Sequence, residues 1–417
     1  MSVRKQIHLA ARLPGVDGTT VRADPRSRSP IAFSSLAHLA RTAERGLFDF
    51  FLLGDELGPR EHTGRVHGPD AAGRPEPVTV LNALAGVTEH LGLAATVDVT
   101  FDEPYGLARR FATLDHLSGG RAAWNPVTSS VARAAEFVAT AGELWDSWTP
   151  EGEARPFAHR GRHFDIAGAF GVPRSPQGHP VVIQAGDREE EREFAAATAD
   201  VVLSRHSALE AGQVFSADVK RRLARYGRGP GDLKIMPGVG VVLGDTAAEA
   251  REKAAEIRRQ QVTPQAALLT LERIWGTDLS SYDPDGPLPE TDPLPETDPV
   301  PGITQGRTRR ADTVALAEKW RALSKEKGLS IRQTVIEAGG RPLFVGTPGA
   351  IAAELDAFVR KDACDGFVLV PHLAPGGLDD FVDQVVPLLQ ERGAHRTEYG
   401  DTTLRSHLGL TGPAGED

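Results

Sequence analysis

Residues 91–125, LGLAATVDVTFDEPYGLARRFATLDHLSGGRAAWN, read as a strand, a helix and a second strand. Leu91–Val97 and Arg121–Asn125 are short apolar runs. Between them, Pro104 suits the first turn of a helix, where its missing N–H is not needed. Leu107, Phe111, Leu114 and Leu117 recur at helical spacing, and Gly119-Gly120 ends the pattern. Two apolar strands joined by an amphipathic helix form a βαβ unit, whose strands run parallel.

The same alternation extends in both directions. Apolar runs occur at Gln6–Ala10, Leu47–Leu53, Pro180–Ala185, Asp200–Ser204, Lys234–Leu243 and Gly366–Pro371. With the two above, that makes eight candidate strands. Most are continuous rather than alternating, as strands covered on both faces should be. Helical stretches fall between them at Ser34–Arg45, Val131–Trp145, Glu189–Ala199, Leu209–Arg225, Ala247–Gln261 and Leu378–Arg392. Eight β/α units predict a closed (β/α)8 barrel over a doubly wound sheet, as one domain spanning residues 1–417. Thr277–Gly306 breaks the alternation. It is rich in Pro, Asp and Gly and repeats LPETDP at 288–293 and 294–299. It is expected as an exposed insertion before the last strand, followed by helices at Arg310–Lys327 and Ser330–Ala338. Residues 393–417 are expected as a polar C-terminal tail without a clear element.

Composition narrows the function classes. Hydrophobic residues make up 40% and charged residues 25%, as in soluble globular proteins. A net charge of −10, with arginines scattered among acids, argues against nucleic-acid and anionic-membrane partners. The single cysteine, Cys364, excludes an intrachain disulfide framework and a cysteine zinc cluster. No signal peptide and no membrane-spanning run is visible, so a cytoplasmic location is expected.

Barrel enzymes place their chemistry at the C-terminal ends of strands. Polar residues stand there in several runs: Asp55, then Thr96 and Asp98, then Asn125, then Gln184 and Gly186. Each could equally cap the helix or turn that follows. His159 and His163 flank Arg160-Gly-Arg162 without a carboxylate pair at ligand spacing, which reads as a surface hairpin rather than a metal site. Asp115-His116 reads as packing and hydrogen bonding rather than a catalytic dyad, and Cys364 as a small core residue. Neither a nucleophile elbow nor a phosphate-cradling Gly-rich loop with Lys occurs.

Residues 103–125, continuing through Val127-Thr-Ser129, resemble the large components of two-component flavin-dependent monooxygenases of the bacterial luciferase-like type. These include the nitrilotriacetate, dibenzothiophene-sulfone and pristinamycin-synthesis enzymes. The resemblance extends through AERGLFDFFLLGD (43–55), PRSPQGHP (173–180), QAG (184–186), DLSSYD (278–283), VGTP (345–348), GGLDDF (376–381) and RTEY (396–399). It implies a luciferase-like barrel, usually a homodimer or homotetramer. It further implies reduced FMN delivered by a separate flavin reductase, O2 as cosubstrate and a small organic molecule as substrate. The protein's part in such chemistry is to hold the cofactor, exclude water and position the substrate. Asp55 and Thr96 match positions that line the flavin site, and Asn125 lies in the matching Trp-Asn motif.

Three departures from that pattern stand out. The resemblance implies a Ser and a Gly after Gln184-Ala-Gly186 that hold the flavin phosphate at a helix start. Here Arg188 and Glu191 occupy those positions, within DREEERE (187–193). Acids in a first helical turn stabilise the helix by roughly 0.3–1 kcal/mol each but repel a phosphate, whereas Arg188 could bind one directly. A loop carrying a flavin-contacting His and Tyr is missing after Ser129. Pro126 and Asp98 replace an aliphatic and a neutral polar residue, and a carboxylate at Asp98 disfavours an anionic reduced flavin. Two alternatives to a flavin monooxygenase therefore follow: a flavin-independent enzyme on the same barrel, or a non-catalytic partner subunit.

Overall fold

The computed structural model describes residues 5–13, 21, 29, 31–54, 61–62, 65–66, 75–128, 130–149, 151–293, 310–339, 343–373 and 376–411. Eight parallel strands close on themselves: β1 (His8–Arg12), β2 (Phe50–Leu53), β3 (Gly92–Asp98), β4 (Ala122–Val127), β5 (Val181–Ala185), β6 (Val201–Ser204), β7 (Lys234–Leu243) and β8 (Gly366–Leu369). Neighbours in sequence are neighbours in the ring. β6 pairs with β7, β7 with β8, and β1 joins β8 through Ala10 opposite Val368. All eight apolar runs thus form the barrel, with ends shifted by at most three residues. Ring closure leaves no exposed sheet edge, the general advantage of a barrel.

The helices in chain order are α1 (Phe33–Arg45), α2 (Pro77–Ala85), α3 (Pro104–Ser118), α4 (Val131–Asp146), α5 (Glu189–Thr198), α6 (Leu209–Leu223), α7 (Ala247–Gln261), α8 (Pro264–Trp275), α9 (Arg310–Lys327), α10 (Ile331–Ala338), α11 (Pro348–Arg360), α12 (Asp379–Gln384), α13 (Val386–Glu391) and α14 (Leu404–His407). Strand residues alternate between two cores. Ala10, Phe50, Leu52, Ala94, Ala123, Ile183 and Met236 fill the barrel interior. Leu9, Phe51, Leu93, Trp124 and Val182 face the helices. Small alanines on β1, β3 and β4 leave room for Phe50 and Met236, so the interior is packed rather than hollow. Outside, Trp124 packs on Phe111, Phe137 and Trp145, with ring centroids 5.6–6.1 Å apart.

The C-terminal segment departs from the expected polar tail. Leu404, Leu408 and Leu410 enter the interior cluster and close the N-terminal end of the barrel. Leu404 sits so close to the start of β3 that a side chain at Gly92 would lie 2.7 Å from its Cδ1. Two buried ion pairs hold this floor. Arg405 grips Asp200 with both terminal nitrogens at 3.0 Å. Arg396 pairs with Asp49, whose other oxygen accepts the Leu9 amide at 2.9 Å.

The excursion between β7 and β8 has a core of its own. Leu279 and Leu288 are buried with Trp275, Trp320, Ile331 and Val335, so residues 277–293 are anchored rather than simply exposed. Arg321 donates to the carbonyls of Pro289 and Thr291 in the first LPETDP copy. The second copy lies outside the described residues. A short strand, Leu343–Gly346, adds to the far end of β7. An antiparallel hairpin, Phe157–Arg160 with Asp165–Gly168, follows α4. Among the described residues, no helix is long and apolar enough to cross a membrane.

Candidate functional site

The C-terminal mouth of the barrel is where side chains from several strands can meet. Alternation decides which of them do. On β3, Thr96 and Asp98 follow Ala94 on the inner face; on β4, Asn125 follows Ala123. Thr96 and Asn125 are register partners, and Asn125 Nδ2 donates to Thr96 Oγ1 at 3.2 Å. Asn125 is 4% exposed, and its Oδ1 is buried without a hydrogen-bond partner. A buried acceptor without a partner is costly unless a donor from a ligand or water meets it.

Asp98 turns its carboxylate back on its own loop, where Oδ1 accepts the Thr100 amide at 2.9 Å. Thr100 in turn bonds Thr128 at 3.0 Å, tying the exits of β3 and β4 together. Ser130 then caps α4 by accepting the Arg133 amide at 3.3 Å, so the chain passes from β4 into α4 with little loop between. Ser129 and Asp55 lie outside the described residues.

Gln184 does not join the Thr96–Asn125 pair. It follows inward-facing Ile183 and therefore stands on the helix side of β5, buried, with Nε2 unpartnered. Gly186 and Arg188 stand at the turn into α5. A side chain at Gly186 would lie 2.5 Å from Glu191 Cβ, so the backbone approach here needs glycine. Arg188 is committed to its own helix. Its Nε and Nη2 donate to Glu191 Oε1 at 2.8 and 2.5 Å.

Arg12, just past the apolar run Gln6–Ala10, was not among the candidate site residues read from the sequence. It is the register partner of Leu52, whose side chain is interior, so Arg12 points into the mouth. The signal was available: Arg12 is two residues past Ala10 in a period-two strand. Beside it, Leu13, Leu36, Leu53, Gly54 and Val80 line an apolar cleft between α1, α2 and the exits of β1 and β2.

Other polar groups in the long family-like block are scaffold. Arg121 is buried and donates to Ser118 O, Leu91 O and Thr88 O at 2.6, 2.7 and 2.9 Å, binding the ends of α2 and α3 to β3. Asp115 accepts the Ala122 amide at 2.9 Å and Gln177 Nε2 at 2.6 Å, while His116 reaches Pro173 O. The two are not a dyad. Glu136 accepts the amides of His163 and Phe164, both at 2.8 Å, and so pins the hairpin that carries His159 and His163. Among the described residues no group of three or more potential ligands could hold a metal ion. Cys364 is buried, and burial pushes its thiol well above the usual range, so it is inert.

The luciferase-like monooxygenase family model matches residues 16–363. The chain is 37% identical to the N-acetyl-S-(2-succino)cysteine monooxygenase of Bacillus subtilis, over 99% of this chain and 98% of the relative. It is 38% identical to nitrilotriacetate monooxygenase component A of Aminobacter aminovorans, over 90% of each. Among solved structures, a riboflavin lyase bound to modified FMN and riboflavin superposes with a TM-score of 0.79 at 26% identity, over 98% of this chain and 97% of the other. An eight-stranded barrel with polar groups gathered at its C-terminal mouth, matched over nearly its full length by oxygenases, places this chain in the luciferase-like monooxygenase family, and it is an oxidoreductase.

Proposed function

We propose that this monooxygenase takes reduced flavin, with FMN as the form its relatives suggest, from a separate reductase and uses O2 to oxygenate a small organic substrate. The observation that carries the reading is the open, buried Oδ1 of Asn125 beside Thr96 in the barrel mouth. An isoalloxazine ring offers an N–H donor to such an acceptor, so the residues present fit the ring end of the cofactor. When bound, the reduced flavin supplies the oxygen-activating chemistry that no side chain here could provide.

The chain's own work is binding and exclusion. Thr96 fixes the amide of Asn125, and Asn125 fixes the ring by accepting its N–H. Arg12 brings positive charge to a mouth that must hold an anionic ring. The packed interior below, built from Ala94, Ala123, Ile183 and Met236, keeps water from entering beneath the cofactor.

The test is turnover with the purified chain, a flavin reductase, NADH, FMN and 18O2. Incorporation of one labelled oxygen into product, dependent on both flavin and reductase, is expected. Turnover that continues without flavin would overturn the reading.

A further inference from the structure

The turn from β5 into α5 is built to hold an anion. The backbone amides of Asp187 and Arg188 converge, and the Arg188 guanidinium closes over them. An anion is already there. Glu191 Oε2 accepts the Asp187 amide at 2.9 Å and the Arg188 amide at 3.0 Å, and Oε1 accepts from Arg188 Nε and Nη2. Gly186 lets the Glu191 side chain lie flat against the turn. Partial burial works against its charge, but the bonds from the Arg188 side chain and from the two amides outweigh this and hold its carboxyl below the usual range.

The neighbouring charges are also spent. Asp187 pairs with His206 and Arg192, both at 2.9 Å. Glu189 pairs with Arg222 at 2.6 and 2.9 Å, and Glu190 with Arg188 at 2.9 Å. A phosphate dianion arriving at this turn would have to displace one carboxylate and tolerate three more. The phosphate end of FMN therefore does not fit this turn as folded.

Resting on the flavin reading above, we propose that Glu191 is the built-in occupant of the anion site at the start of α5. The chain grips its flavin by the ring and does not distinguish FMN from riboflavin. Its cofactor class is flavin in general rather than flavin phosphate.

The experiment is anaerobic titration of the wild-type chain, Glu191→Ala and Glu191→Gln with reduced FMN and reduced riboflavin, each variant first checked for a native circular-dichroism spectrum and melt. In the wild type the two dissociation constants should agree within threefold. In Glu191→Ala, FMN should tighten at least tenfold while riboflavin is unchanged. Glu191→Gln, which keeps the shape and loses the charge, should fall between, and it serves alone if the alanine variant does not fold. Wild-type FMN binding ten times tighter than riboflavin would overturn the proposal while leaving the flavin reading intact. If the wild type binds neither flavin and Glu191→Ala binds FMN only, the occupied site stands and the flavin reading falls. If no form binds either flavin, both fall.

Discussion

Arg405, near the end of the chain, holds Asp200, at the start of β6, with two guanidinium nitrogens at 3.0 Å. Both side chains are about nine-tenths buried. The pair therefore fastens the floor helix α14 to the barrel wall, and it does so where water cannot replace either partner. Removing one member of such a pair leaves the other buried and uncompensated, at a cost of about 3–5 kcal/mol. Arg405→Ala should lower the urea midpoint markedly, and so should Asp200→Asn, which leaves the Arg405 guanidinium buried without its counter-charge. A midpoint shift no larger than that of an exposed Arg→Ala control would show the floor contact to be incidental.

The second floor pair gives a pH signature. Burial opposes the charge on Asp49, but Arg396, with His8, outweighs it and holds the carboxyl well below the ordinary carboxylate range. A folded value below the unfolded one means the stabilisation is complete above the unfolded value, about 4, and is lost as pH falls toward the folded value. Melting temperature measured from pH 6 down to pH 2.5 should therefore fall more steeply for the wild type than for Asp49→Asn. Parallel curves would remove Asp49 from the acid limb.

Asn125 carries the flavin reading, so it should carry affinity. Asn125→Ala removes the open acceptor and its anchor to Thr96. The expected loss is up to about tenfold in reduced-flavin affinity, the upper end of the ~0.5–1.5 kcal/mol typical of one hydrogen bond. Thr96→Val should give a smaller loss, because it only frees the Asn125 amide. Unchanged binding in Asn125→Ala with an intact fold would move the ring elsewhere.

Arg12 makes a redox-dependent forecast. Its charge faces the mouth, so it should favour the anionic reduced ring over the neutral oxidised one. Arg12→Met is expected to weaken reduced flavin about tenfold and oxidised flavin far less, and Arg12→Lys should recover most of the difference. Titration in both redox states reads this directly. Equal losses in the two states would mean that Arg12 contributes packing only.

The barrel was legible because parallel strands buried on both faces leave continuous apolar runs, and all eight could be placed from such runs. The site was harder. Asn125 and Gln184 looked equivalent as polar strand ends, yet one faces in and the other out, since each simply follows the alternation of its own strand. Counting back to Ala123 and Ile183 separates them, but only once the interior set is known. Arg12 was readable by the same count. The floor was not readable: Leu404, Leu408 and Leu410 are too few and too scattered to mark an element, and they are buried only because the barrel end needs filling. Helices α8 and α11 also went unseen, although each opens with Thr-Pro, a threonine cap followed by proline at the first turn.

The pairing of β1 with β8 has a consequence for how the protein is made. His8 cannot meet Gly366 until Gly366 itself has left the ribosome, and the floor leucines emerge later still. At 5–20 residues per second, β1 waits on the order of tens of seconds with one edge unpaired. Ring closure thus comes only after every other strand of the barrel has emerged, and an open, sticky half-barrel is an obligatory nascent species. Its safe passage depends on shielding from outside the chain, which makes yield in a heterologous host a question of chaperone supply and translation speed as much as of native stability.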